Sequence, residues 1–185
     1  MRYLPDHKIT FIHNPKTAGT SISNWLDQNF KTIKGRKHGN HNEVWEFFPK
    51  TGFTFGVVRN PWERMASWYY MLREPCSFED FLYTRINNQI SVGLTFQPRV
   101  LWARNWYNLG TTQYEWFGES TNFILKFESL ENDFKIIQEK LNCYSPLPKL
   151  NKSIDFDYRT MYTDDTAEYI HDVFLKDIIN YDYNF

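Results

Sequence analysis

The chain of 185 residues carries 21 Lys and Arg against 22 Asp and Glu, a net charge of -1 that leaves no basic excess for a nucleic-acid or membrane-surface partner. A hydrophobic fraction of 42% and an aromatic fraction of 19% exclude a disordered chain and suit one sizeable core. Two cysteines, Cys76 and Cys143, are too few for a disulfide framework or a four-thiolate metal site, so they read as thiols in a reducing compartment.

The opening "MRYLPDHKITFIHN" lacks the apolar run of a signal peptide. No window approaches the ~20 apolar residues of a membrane-spanning helix, so no integral membrane segment and a cytoplasmic location are expected. With neither repeat nor linker, residues 1–185 read as a single domain.

In chain order, "KITFIH" is a short β-rich run, followed by Ile22, Trp25, Leu26 and Phe30 at helical spacing. "FTFGVV" is the next strand and ends at Arg59. Asn60 then suits an N-cap, Pro61 the first helical position and Glu63 the capping-box acid. Trp62, Met65, Ala66 and Tyr69 supply that helix's apolar stripe, which leaves Trp68 and Tyr70 semi-exposed. "SFED" opens a mainly helical stretch over about 75–118. "NFILKF" is a third strand, with Leu130, Phe134, Ile137 and Leu141 marking the helix after it. A final helix begins near Thr163, with Ala167, Ile170 and Phe174 on one face. Strands alternating with helices predict an α/β fold, a P-loop-like three-layer arrangement with a central, mainly parallel sheet flanked by helices.

In such sheets the ligand crevice lies outside the carboxyl ends of the strands, where both Lys16 and Arg59 fall. In "PKTAGTS" Gly19 permits close backbone approach, and the N–H groups that open the next helix point outward. Lys16, Thr17, Thr20 and Ser21 add a cation and hydroxyl donors, which together with Ala18 and Gly19 make a cradle for a phosphate-like anion. Thr20 stands where a nucleotide-triphosphatase loop has its lysine, which weakens a metal-dependent kinase or hydrolase reading. Ser67 lies two helical turns beyond Asn60, on the face that begins beside Arg59.

"PKTAGTS" after one strand and "FGVVRNPWERMASWYY" after another resemble the two cofactor signatures of sulfotransferases that use 3′-phosphoadenosine 5′-phosphosulfate (PAPS). The second is most similar to that of the Golgi-type carbohydrate sulfotransferases, and the likeness continues through "FILKFESLENDF", "LPKLNKS" and "VFLKDIINYDY". The resemblance implies that Lys16, Thr17, Ala18, Gly19, Thr20 and Ser21 hold the 5′-phosphosulfate and that Arg59 and Ser67 hold the 3′-phosphate. It also places Asn151, Lys152 and Ser153 near the nucleotide.

The implied reaction is sulfonate transfer (EC 2.8.2-type) from PAPS to an acceptor hydroxyl, with no metal required. Lys16 offsets leaving-group charge and a base takes the acceptor's proton. The base candidates in "GRKHGNHNEVWEFF" are His38 first, then His41 and Glu43. His13, just before the turn, reads as structural. Gln97, Arg99, Trp102, Trp106 and Tyr107 suit an acceptor-side face as well as they suit a helical subdomain.

The membrane anchor, luminal stem and disulfides of the Golgi enzymes are missing, which implies a short soluble member of bacterial or viral type. Its acceptor would be a glycan or a small metabolite. A nucleotide-binding module that has lost catalysis is the remaining alternative, and oligomeric state is not legible.

Overall fold

The structure, a computed structural model, describes residues 1–49, 52–86, 109–119, 121–150 and 157–185. In chain order the elements are β1 (Arg2–Leu4), β2 (Ile9–Phe11), α1 (Gly19–Asn29), β3 (Ile33–Lys34), α2 (His41–Phe47), β4 (Phe53–Val58), α3 (Pro61–Leu72), α4 (Phe78–Ile86), α5 (Gln113–Phe117), β5 (Phe123–Lys126), α6 (Leu130–Leu141), a 3-10 turn (Tyr158–Met161), α7 (Asp164–Val173) and α8 (Leu175–Tyr181). They fall into two units, one from the described residues of Met1–Arg59 and Gln113–Ile154, the other from those of Asn60–Thr112 and Asp155–Phe185.

The first unit holds a five-stranded sheet of order β3-β1-β2-β4-β5. Strands β2, β4 and β5 run parallel, with Phe11 beside Phe55 and Phe55 beside Phe123. The three expected strands are these three, β4 with the expected residues and β2 and β5 trimmed at their ends, and the expected α/β class holds. Strand β1 is antiparallel to both of its neighbours and extends the sheet by a pair that residue pattern did not announce.

The alternation of β4 explains its packing. Phe55 and Val57 join Phe11 and Leu125 against Ile22, Trp25 and Leu26 of α1 and Phe134, Ile137 and Leu141 of α6. The intervening Gly56 faces the Phe117 ring, which lies 2.0 Å from where a Cβ would stand, so only glycine fits there. On β1, Arg2 donates from Nε and Nη2 to the two oxygens of Asp27 on α1, at 2.7 and 2.9 Å. This fork ties β1 to the helix.

In the second unit, α3 starts where the sequence places it, with Pro61 at the first position and the Asn60 side chain accepting from the N–H groups of Trp62 and Glu63. Trp62 donates from Nε1 to the Ala167 carbonyl and accepts at its own carbonyl from the Tyr162 hydroxyl, which joins α3 to α7. Trp68 is buried rather than semi-exposed, because it shares the broad apolar face of α3 with Met65 and Leu72. Tyr70 is exposed as expected. Ser77 caps α4 by accepting from the Asp80 N–H and donating to its carboxylate. The final helical stretch is capped at Thr163 but breaks at Phe174, so α7 and α8 stand where one helix was read.

Burial raises the Asp27 carboxyl, yet its hydrogen bonds from Arg2, Thr32 and Lys34 outweigh that and hold it at about 2. Its folded value lies below the unfolded value of about 3.8, so its stabilisation is present above pH 4 and lost as pH falls towards 2. Asp27→Asn is expected to lower stability in urea denaturation at pH 7 by about 1–2 kcal/mol and to flatten the acid loss between pH 4 and 2. An unchanged pH profile would remove the Arg2 fork from the account.

Candidate active site

The sheet's carboxyl end is finished by one buried amide. Gln113 donates to the Arg59 carbonyl (2.7 Å) and its Oε1 accepts from the Arg59 N–H (2.9 Å) and from Asn14 Nδ2 (3.1 Å). These bonds join the chain leaving β2 to the chain leaving β4 at the point where the ladder ends. Sequence reasoning missed Gln113, and nothing in "TTQYEW" distinguishes it.

Between Asn14 and α1 the backbone is held out of its usual conformations. Lys16 and Ala18 both have positive φ, 69° and 59°, in a region that side chains disfavour. Thr17 donates from Oγ1 to the Asn14 carbonyl (2.9 Å), and Arg59 donates from Nη1 to the Lys16 carbonyl (3.2 Å). Helix α1 then opens at Gly19 with no side-chain cap hydrogen bond. Left-handed residues next to an uncapped helix start turn successive N–H groups into a concave cradle for an anion. Lys16, Thr17 and Ala18 form the turn, and Gly19, Thr20 and Ser21 open α1.

Its cations stand close. Burial and then the Arg59 charge lower the Lys16 ammonium to about 8, so it remains mostly charged at neutral pH. The buried Arg59 guanidinium lies over the Phe127 ring at 4.1 Å, which fixes its plane without using its donors. Ser67 is buried on α3 in the second unit. Asn151, Lys152 and Ser153 lie outside the described residues, as do Gln97, Arg99, Trp102, Trp106 and Tyr107.

The Ser21 hydroxyl serves a different purpose from the rest of the turn. It accepts from the Leu150 N–H (3.1 Å) and donates to the Leu150 carbonyl (3.4 Å). Trp25 donates to the Ser145 carbonyl and Asn29 accepts from the Ser145 hydroxyl, so one face of α1 straps the chain from Ser145 to Leu150 along its length.

The three base candidates separate clearly. Glu43 has both oxygens committed, one to Arg36 (2.7 Å) and one to the Asn40 N–H in the capping box of α2. The His41 Nδ1 lies 3.3 Å from the Trp116 carbonyl, with the ring filling the space beside Gly118. His38 packs its ring against that of His13, centroids 4.4 Å apart, and the His13 ring in turn covers Gly19 at the start of α1. Burial, then Lys37 and the Met1 amino group, lower His38 to about 3, which keeps it neutral at pH 7. Among the described residues no group of three or more His, Cys, Asp or Glu could hold a metal, and no helix is long and apolar enough to cross a membrane.

Mouse sulfotransferase SULT7A1, solved in complex with PAP, aligns with a TM-score of 0.57 at 12% identity over 97% of this chain and 87% of that one. A sulfotransferase from Alicyclobacillus acidocaldarius aligns at 0.41 and 15% identity, over 78% of this chain and 60% of that one. No curated protein matches the sequence. A family model described as "Sulfotransferase family" matches residues 1–184, and the chain therefore belongs to the sulfotransferase family.

Proposed function

We propose that the protein transfers the sulfonate group of PAPS to an acceptor hydroxyl on a carbohydrate or small metabolite. The observation that carries this reading is the strained turn at Lys16 and Ala18, which leads into an uncapped helix start with Lys16 and Arg59 beside it. That turn suits the 5′-phosphosulfate, and Arg59 with Ser67 is the proposed pair for the 3′-phosphate. The mouse relative carries PAP, which supports the same nucleotide here.

The donor supplies the sulfonate and leaves as adenosine 3′,5′-bisphosphate. In the proposed mechanism His38 accepts the proton of the acceptor hydroxyl, which makes the oxygen the better nucleophile. Lys16 and the backbone N–H groups of the turn stabilise the charge that grows on the leaving phosphate. His41 and Glu43 are better suited to holding α2, given their bonds to Trp116, Arg36 and Asn40.

Titration calorimetry with adenosine 3′,5′-bisphosphate, ADP and ATP, with and without magnesium, tests the reading. Metal-independent binding that favours the bisphosphate is expected, whereas preference for ATP with magnesium would replace sulfonate transfer by phosphoryl chemistry. His38→Ala should lower kcat roughly 10²–10⁴-fold while bisphosphate affinity is kept. The same loss in His41→Ala or Glu43→Gln, with His38→Ala active, moves the base. Because Lys16 loses its proton near pH 8, kcat/KM for PAPS is expected to fall as pH rises through that value. A flat profile to pH 10 removes the Lys16 charge from the transition state.

A further inference from the structure

We propose that His13 is a positioning residue that holds His38 in place beside the start of α1; this rests on the sulfonate-transfer reading above. The chain of contacts is short and lies within the first unit. The His13 ring stacks on Phe11 of β2, centroids 5.7 Å apart and 27° between planes, so it is anchored to the central sheet. Its other side occupies the volume that a side chain at position 19 would take, with Cδ2 only 1.9 Å from that ideal Cβ. Gly19 lacks a Cβ because an imidazole occupies its place, a requirement separate from close ligand approach. The ring of His38 then meets His13 at 77°, so the loop that carries it rests on the same imidazole.

The charge states agree with this packing. Burial, with the charges of His38, the Met1 amino group, Lys37 and Arg2, holds His13 well below the usual histidine range, so two neutral rings meet at neutral pH. His13 also shields His38 from water, and removing it would return His38 towards its ordinary value of about 6.5.

Histidine ring NMR across pH, on wild type, His13→Ala and His13→Phe, reads this directly, with His38→Ala assigning the signal. In wild type and His13→Phe, whose flat ring keeps the contact, His38 is expected to remain neutral down to pH 5. In His13→Ala it should titrate between pH 5 and 7, with kcat at neutral pH lowered about 10–100-fold and KM for PAPS changed far less. Should His13→Ala fail to fold, Gly19→Ala, whose methyl group displaces the His13 ring, is expected to give the same shift of His38. An unmoved His38 titration in whichever of these variants folds overturns the proposal, as does an equal loss of kcat in the Ala and Phe variants. Full turnover by His38→Ala would instead refute its role as base and leave the NMR result standing on its own.

Discussion

The site depends on how the parallel strands end. Arg59 is buried between the end of β4 at Val58 and the start of α3 after Asn60. Gln113 bonds both the N–H and the carbonyl of Arg59 from one side chain and reaches Asn14 with the same oxygen. A buried amide so fully used fixes the spacing of the two strand ends, because a shift of either would leave a donor or acceptor unsatisfied at a cost of about 1–3 kcal/mol. The positions of Lys16 and Arg59 follow from that spacing.

Strain in the turn is held by the same neighbours. Two non-glycine residues in the left-handed region cost on the order of 1–3 kcal/mol each, and the Thr17 hydroxyl and Arg59 guanidinium offset part of this by satisfying the Asn14 and Lys16 carbonyls. Both bonds fall on carbonyl groups of the turn. Ser21 stands outside the turn. Its hydroxyl is occupied by Leu150, and with Trp25 and Asn29 it makes a rail along α1 that brings the chain after α6 back to the start of the helix.

What could be read from the sequence follows from how local each signal is. The six residues of β4, the Asn60-Pro61 start and the Thr163 cap are each decided by neighbours in the chain, and each stands where it was read. Strand β1 has three residues and β3 two, too short for any alternation to register. Helix α2 carries a local signal as well, the capping-box pair Asn40 and Glu43, which the sequence reading did not use. Gln113 acts across 99 positions on Asn14 and 54 on Arg59, and His13 acts on Gly19 only after the turn has folded back over β2. Such roles have no local pattern.

The same physical cause gives the two proposed chemical groups opposite charge states. Burial lowers the affinity of both Lys16 and His38 for a proton, and neighbouring cations add to it, Arg59 for the first and Lys37 for the second. Lys16 starts near 10.5 and reaches about 8, so it keeps its charge at neutral pH; His38 starts near 6.5 and reaches about 3, so it loses its own. Burial beside a cation thus leaves Lys16 charged and His38 neutral at pH 7, because the two start from ordinary values about four units apart. A carboxylate base in the same place would be drawn into an ion pair with these cations, as Glu43 is with Arg36. Histidine avoids that pairing because burial among positive charges leaves it uncharged.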